Sequence, residues 1–292
     1  MANTTVGVIG LGAMGNGMAK TLLREGFQVV GTDLGEAQKA AAAELGVQVV
    51  DSIAALCEHT DTFVLSLPMS KHVQAVIQGE GGLLEHAPAG SLMIDTSTSE
   101  PEITRDLAGC LDSKGHQMLD APVSGGPAGA AAGTMVMVVG GEAAALERGM
   151  PVLNALSSKV VHLGDSGSGH VAKLINNLLC AAHLITTAEA VALGKRAGLD
   201  PALLIEGLNA GSGRSAISEV NFPRWILNEG FDSGFTMQLM RKDVRLAKKL
   251  MADMQLDLPV ADQIAQIWAA SEDCIADAED FNCIIKNAGL GE

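Results

Sequence analysis

Short runs of apolar residues recur along the first half of the chain, and segments with helical spacing separate them. The runs predict strands at residues 5–9, 28–33, 62–67, 91–95, 116–120, 134–139 and 159–163. Strands that alternate with helices are typical of a parallel sheet covered by helices on both faces. The first half therefore predicts an α/β Rossmann domain with a doubly wound, mostly parallel sheet.

The pattern changes after residue 165, where helical spacing takes over. A nearly unbroken apolar segment at residues 171–193 predicts a long buried helix. Further helices are predicted at residues 202–208, 215–227, 240–254 and 260–275. We therefore expect two domains, a nucleotide-binding domain at residues 1–165 and an all-α domain at residues 166–292.

One lysine stands in the long apolar segment, with an asparagine four residues later. Lys173 and Asn177 share one helix face, because positions i and i+4 lie one turn apart. Burial would lower the pKa of this lysine toward the range that suits proton transfer, so Lys173 is the first candidate for a general acid/base. His170, one turn earlier, is the rival, although a histidine at a helix start is more often a capping or surface residue.

Composition removes several classes of function. A net charge of −15 disfavours nucleic acids and anionic membranes as partners. The chain has no tyrosine, so it has no catalyst of the kind that short-chain dehydrogenases and aldo-keto reductases use. Five cysteines without metal-ligand spacing indicate a reducing cytoplasm and no metal site. No signal or transit peptide is expected, and polar residues interrupt the most apolar segment, so no membrane span is expected either.

A glycine motif follows the first strand and opens a helix. Gly10-Leu11-Gly12-Ala13-Met14-Gly15 has the spacing of a dinucleotide-binding turn, and Asp33 ends the second strand about 20 residues later, where a carboxylate can bond ribose hydroxyls. The 2′-phosphate of NADP would meet that carboxylate, and the first nearby cation is Lys39. The motif therefore predicts NAD as the cofactor, with NADP as the alternative. A tight turn without ligand, with Asp33 as a helix cap, is the competing interpretation.

Three further strand ends carry candidate ligand-binding residues, because ligands bind beyond the carboxyl ends of parallel strands. Leu67-Pro68 follows one strand and Thr98 follows the next. After residues 116–120 comes Ser124-Gly125-Gly126, where two glycines free backbone amides to converge on an anion and the serine adds a donor. A carboxylate would suit this loop, and a flexible connector is the competing interpretation.

These motifs together resemble the β-hydroxyacid dehydrogenases over nearly the whole chain. The resemblance rests on the glycine motif, Leu67-Pro68, the segments 95–98, 120–126 and 167–177, Gly213-Arg214, and the segment from Phe235 to Lys242-Asp243. It implies a Rossmann domain joined by a long helix to an all-α domain, in a homodimer or homotetramer. It also implies hydride exchange between a nicotinamide cofactor and a small carboxylate substrate.

The resemblance assigns roles to single residues. Lys173 matches the family's catalytic lysine, Ser124, Gly125 and Gly126 match its substrate-carboxylate loop, and Asn177 matches a supporting asparagine. The implied cofactor contacts are Gly10, Leu11, Gly12, Ala13, Met14, Gly15, Leu67, Pro68, Thr98 and Lys242, to which the strand-end argument adds Asp33.

The motifs do not identify the substrate. A 3-hydroxyisobutyrate-type dehydrogenase competes with a 2-hydroxy-3-oxopropionate (tartronate semialdehyde) reductase and with other short semialdehyde reductases. Asn176 stands where the related 6-phosphogluconate dehydrogenases carry a histidine, so the sequence looks unlike a phosphosugar enzyme. A catalytically silent dinucleotide-binding module is the alternative outside enzymes, and the presence of Lys173 disfavours it.

Overall fold

The sheet of the first half begins with six parallel strands. A computed structural model describes residues 4–288 of the chain and divides it into two units at Lys173 and Leu174. The strands of the first unit are β1 (Thr5–Ile9), β2 (Gln28–Thr32), β3 (Gln48–Val49), β4 (Thr62–Leu65), β5 (Leu92–Asp95), β6 (Gln117–Asp120), β7 (Val123–Ser124), β8 (Met135–Gly140) and β9 (Ser157–Gly164). Strands β3, β2, β1, β4, β5 and β6 lie side by side in that order, all parallel.

Strand β8 reverses direction at the edge of this parallel block. It pairs antiparallel with the end of β6 and with β7, and parallel with β9. Asp120 at the end of β6 lies opposite Gly140 of β8, and Ser124 of β7 lies opposite Val136. The mostly parallel Rossmann sheet predicted from the sequence is confirmed, and this antiparallel corner brings the 120–124 segment onto the sheet.

Helices cover both faces of the sheet. They are α1 (Ala13–Arg24), α2 (Glu36–Glu44), α3 (Ile53–Cys57), α4 (Ser70–Gln78), α5 (Leu83–His86), α6 (Pro101–Asp112), α7 (Gly126–Ala132) and α8 (Ala143–Leu156). Successive residues of β4 enter different cores, Val64 on one side and Phe63 and Leu65 on the other, because strand side chains alternate between faces. Both cores are needed to bury a sheet of this kind.

The second unit is helical. Its helices are α9 (Ser168–Arg196, which begins in the first unit), α10 (Pro201–Ala210), α11 (Met237–Asp253) and α12 (Pro259–Ala270), with a π-helix at Ile217–Ile226 and 3₁₀ turns at Ser271–Asp273 and Phe281–Ala288. Asp200 caps α10 through the amides of Ala202 and Leu203. Trp268 is fully buried in this core, and its indole donates to the carbonyl of Ala181.

Helix α9 is buried along one stripe only, whereas the sequence predicted a buried helix. Leu174, Ala181 and Leu184 are fully buried, but Ile175 and Leu179 are about half exposed, at 50% and 52%. Within residues 4–288 only α9 is long and apolar enough to cross a membrane, a test of length and composition that the core helix of a soluble protein also passes. Its buried stripe forms part of the core of the second unit, as expected for a core helix of a soluble protein.

Candidate active site

The dinucleotide motif forms a turn that only glycine can make at two of its positions. Gly10 has φ +93°, and a Cβ there would lie 2.3 Å from the carbonyl oxygen of Ser66. A Cβ on Gly15 would lie 1.8 Å from the carbonyl oxygen of Gly10. These two glycines let α1 approach the end of β1 closely.

Gly12, the second glycine of the motif, faces open space. It is the N-cap of α1 and gives that helix no side-chain cap. No atom of the described residues lies within 4 Å of the position that a Cβ on Gly12 would take, outside its chain neighbours and the helix itself. The first amides of α1 thus have room for a phosphate group, which fits the pyrophosphate of a dinucleotide.

Asp33 is tied to the glycine motif. Its Oδ2 accepts a hydrogen bond of 2.6 Å from the amide of Leu11, and its Oδ1 accepts one of 2.8 Å from Gly35. The fully buried side chain of Leu11 anchors the turn in the core, and the amide of the same residue holds Asp33. Asp33 therefore sits at the carboxyl end of β2, next to the turn, where a ribose contact needs it.

The ends of β4 and β5 are joined by a serine. Ser97 accepts a hydrogen bond of 3.0 Å from the amide of Leu67 through its Oγ. Leu67 is half-buried, Pro68 is exposed, and Thr98 is half-buried in the segment that follows β5. The structure thus places these predicted cofactor contacts at the same edge of the sheet as the glycine turn.

Lys173 and Ser124 meet in the first unit. The Lys173 Nζ lies 3.2 Å from the Ser124 Oγ, and both residues are half-buried. Gly125 and Gly126 follow with φ +131° and +61°, conformations that favour glycine, and Gly126 begins α7. The segment that could have been a flexible connector is instead held by the pairing of β7 with β8.

His170 is buried, whereas the sequence suggested a capping or surface residue. It has no exposed surface; its Nε2 lies 3.0 Å from the Ser97 carbonyl oxygen and its Nδ1 lies 2.7 Å from the Thr104 hydroxyl. Burial raises the pKa of the neighbouring Asp95, and His170, whose Nε2 lies 3.9 Å away, opposes that rise. With both ring nitrogens engaged and no access to solvent, His170 is poorly placed to exchange a proton with a substrate.

Within the second unit, a buried carboxylate, Asp243, contacts two of the residues that the family resemblance singles out. Asn177 is 4% exposed, and its side-chain amide donates to Asp243 Oδ2 over 2.5 Å. The Lys242 Nζ lies 3.2 Å from the other oxygen of Asp243. Asp243 follows Lys242 in the motif and stands on a buried face of α11, which is the signal that could have identified it.

No group of three or more His, Cys, Asp or Glu side chains that could hold a metal ion lies within residues 4–288.

Two family models account for almost the whole chain. Residues 5–164 match the NAD binding domain of 6-phosphogluconate dehydrogenase, and residues 167–288 match the NAD-binding domain of NADP-dependent 3-hydroxyisobutyrate dehydrogenase. A 2-(hydroxymethyl)glutarate dehydrogenase of Eubacterium barkeri is 37% identical, over 96% of this chain and 93% of that protein. A 3-hydroxyisobutyrate dehydrogenase of Pseudomonas aeruginosa is also 37% identical, over 97% and 98%. The chain belongs to the β-hydroxyacid dehydrogenase family.

A solved structure agrees with this membership. The Mycobacterium tuberculosis 3-hydroxyisobutyrate dehydrogenase, in a structure with L-serine, has a TM-score of 0.90 and 33% identity, and the match covers 97% of this chain and 98% of that one. As a β-hydroxyacid dehydrogenase, the protein is an NAD(P)-dependent oxidoreductase that acts on a small substrate, and a role like that of 3-hydroxyisobutyrate dehydrogenase fits it.

Proposed function

We propose that this dehydrogenase interconverts a short 3-hydroxy acid and its semialdehyde, with Lys173 as the general acid/base and Ser124, Gly125 and Gly126 as the carboxylate site. The observation that carries the proposal is the 3.2 Å approach of the Lys173 Nζ to the Ser124 Oγ. A group that binds the carboxylate and a group that handles the hydroxyl proton then stand side by side, as a substrate with both functions close together requires.

The hydroxyl of Ser124 can serve both partners. In the bond from Lys173 its oxygen accepts, which leaves its own O–H to donate to a substrate carboxylate. The backbone at Gly125 and Gly126 adds amide donors beside it. Binding the carboxylate in this way fixes which carbon of the substrate is presented for reaction.

A bound nicotinamide supplies or accepts the hydride. Lys173 takes the hydroxyl proton at its Nζ during oxidation and returns it during reduction. The turn at Gly10, Gly12 and Gly15 would hold the pyrophosphate, and Leu67, Pro68 and Thr98 would add further contacts at the sheet edge. None of these groups needs a metal ion.

Three compounds associated with the relatives share one chemical unit. 2-(Hydroxymethyl)glutarate, 3-hydroxyisobutyrate and the L-serine of the mycobacterial structure each carry a hydroxyl on the carbon β to a carboxylate. This unit supports a 3-hydroxy acid as the substrate class here. Reduction of tartronate semialdehyde, the alternative considered from the sequence, gives a product of the same class.

We further propose NAD as the preferred cofactor. The carboxylate of Asp33 stands beside the glycine turn, and the nearest cation predicted from the sequence, Lys39, already pairs with Glu36 and Asp51. The second family model is that of an NADP-dependent 3-hydroxyisobutyrate dehydrogenase. One solved structure of 24% identity is a complex with NADP⁺. The preference therefore rests on this chain's own charges.

Asn177 and Lys242 are proposed as ligands of substrate and cofactor from the second unit. What supports them is the short chain of contacts within that unit, in which Asp243 accepts from Asn177 and pairs with Lys242. Asp243 would thus hold both side chains in fixed orientations.

We also propose a homodimer or homotetramer in the cytoplasm. The apolar residues Ile175, Leu179 and Leu193 of α9 are 50%, 52% and 73% exposed, more than a core helix usually leaves uncovered. A second copy of the chain is the partner expected to cover them. A solution mass equal to the 30.0 kDa monomer at micromolar concentration would contradict this part of the proposal.

The test of the function is Lys173→Ala, with Lys173→Arg and Lys195→Ala beside it. Loss of a positioned general acid/base lowers kcat by about 10²–10⁴-fold, and arginine does not replace the lysine because its guanidinium stays protonated. Lys195 is an exposed lysine near the other end of the same helix, so its removal leaves kcat unchanged. Cofactor affinity, followed by NADH fluorescence, stays near the wild-type value in all three. Near-normal turnover by Lys173→Ala on 3-hydroxy acids would show that another group moves the proton.

A further inference from the structure

Asp120 is a buried carboxylate at the end of β6, and both of its oxygens are used by the start of α9. Its Oδ1 accepts from the amide of Gly167 over 2.8 Å, and its Oδ2 accepts from the amide of His170 over 2.9 Å. The residue has no exposed surface. The first amides of a helix have no partner within the helix, and its amino end favours negative charge, so Asp120 acts as the cap of α9.

Glycines on two elements make room for this carboxylate. A Cβ on Gly169 would lie 2.5 Å from the Asp120 carbonyl oxygen, and a Cβ on Gly140 would lie 2.6 Å from the Asp120 Oδ1. Real Cβ atoms do not approach other atoms so closely, so side chains at these positions would push α9 or β8 away from Asp120. The close approach of α9 and β8 to Asp120 therefore depends on glycine at Gly169 and Gly140.

The side chain of His170 fixes the same turn from another direction. Its Nε2 donates to the carbonyl oxygen of Ser97, because a carbonyl oxygen can only accept, and its Nδ1 is bonded to the hydroxyl of Thr104. Ser97 also holds the amide of Leu67. The first turn of α9 is thus tied to β6 through its backbone and to the segment after β5 and to α6 through a side chain.

Lys173 follows one turn after His170 in this fixed part of the helix. Its partner Ser124 lies only four residues after Asp120 in the chain, in the strand that pairs with β8. The segment from Asp120 to Ser124 therefore serves the lysine twice. Asp120 anchors the helix that carries Lys173, and Ser124 contacts the lysine itself.

We propose that Asp120 is a positioning residue for Lys173: its carboxylate fixes the first turn of α9 and thereby sets the lysine against Ser124. The proposal rests on the proposed function, in which Lys173 carries the proton. Asp120 touches neither the substrate nor the cofactor in this scheme. Its removal should therefore lower the rate of the chemical step much more than it weakens binding.

The experiment compares Asp120→Asn with Asp200→Asn. The first change keeps the size of the side chain and one acceptor oxygen, but it turns an amide donor toward a helix amide. Asp200 is the matched control, because it caps α10 through two amides and α10 does not carry the lysine. A shift of about 1 Å in a reacting group costs roughly a hundredfold, so we expect kcat to fall about ten- to a hundredfold in Asp120→Asn. KM for substrate and cofactor should change by less than about threefold, since uniform binding is kept.

Hydrogen exchange gives a readout that does not depend on the reaction. Amides of residues 167–173 should exchange faster in Asp120→Asn, whereas those of α10 should do so only in Asp200→Asn. Asp200→Asn should keep the wild-type kcat even where its melting temperature falls as much. This contrast separates positioning of the lysine from a general loss of stability.

Three results would overturn the proposal, and they differ. If Asp120→Asn keeps kcat within about twofold while Lys173→Ala is inactive, Asp120 only stabilises the fold and the proposed function stands. If Lys173→Ala is itself active, the proposed function fails and the positioning role falls with it. A fall in kcat that Asp200→Asn reproduces at equal loss of stability would also refute positioning.

Discussion

Helices α1 and α9 both follow a glycine-containing segment, but their amino ends have different functions. Each helix follows a strand and a glycine-containing segment, with Gly10 and Gly12 before α1 and Gly164 and Gly167 before α9. At α9 a buried carboxylate, Asp120, occupies the helix amides. At α1 the carboxylate of Asp33 accepts from the amide of Leu11, which precedes the helix, and α1 itself has no side-chain cap.

A glycine before a helix therefore does not by itself mark a ligand site. What separates the two ends is whether the protein supplies the anion. Where it does, the helix becomes a fixed support, here for Lys173. Where it does not, the amides and their dipole remain for a phosphate that arrives with the cofactor.

The largest expected effect comes from filling the capped end. Gly169→Ala places a methyl group against two backbone carbonyls, at 2.5 Å from Asp120 and 2.6 Å from Val138, and backbone atoms cannot move aside as side chains do. Overpacking of this kind costs about 1–3 kcal/mol in the free energy of unfolding. Urea denaturation of the two proteins measures it.

The control for that variant is Gly207→Ala in the middle of α10. No atom of the described chain outside its own helix and neighbours lies within 4 Å of a Cβ there, so helix propensity alone should leave stability equal or raise it by up to about 1 kcal/mol. Equal stability of Gly169→Ala and the wild-type protein would mean that α9 is not held against β6 as tightly as the distances indicate.

The next effect is smaller and lies at the open end. Gly12→Ala meets no protein atom, so the melting temperature should stay within about 2 °C of the wild-type value. Its methyl group would occupy the space proposed for the pyrophosphate, so dinucleotide affinity should fall about tenfold, which is 1.4 kcal/mol. Fluorescence titration with NADH measures this, and Gly109→Ala, a helical glycine with similar free space on α6, should bind normally. Unchanged affinity in Gly12→Ala would remove the open end from the cofactor site.

Much of the open end could be predicted from the sequence, because the features that define it are local. The glycine motif, the strand before it and the acid at the end of the second strand all stand within 33 residues, and the structure has them as predicted.

The capped end could not be predicted, because its partners are distant in sequence. His170 meets Thr104 at a separation of 66 residues and Ser97 at 73, and nothing near His170 in the chain distinguishes burial from exposure. Helix α7 was missed for a related reason. Its glycine and alanine residues carry no amphipathic pattern, and the helix is held by Thr21 and Arg24 of α1, which donate to carbonyls at its carboxyl end.

The smallest expected effect sharpens the comparison at Asp33, the carboxylate that stands beside the open end without closing it. Asp33→Asn removes a negative charge that would repel the 2′-phosphate of NADP, and an exposed charge pair is worth about 0.2–1 kcal/mol. The ratio of kcat/KM for NAD to that for NADP should therefore fall about two- to fivefold. Loss of the bond to Leu11 should weaken both cofactors alike, so the ratio isolates the charge. Asp51→Asn, which removes an exposed carboxylate paired with Lys39, serves as the control and should leave the ratio unchanged. A wild-type enzyme that uses NADP as well as NAD would refute the preference, and a ratio that stays constant in Asp33→Asn would show that Asp33 shapes the turn without selecting the cofactor.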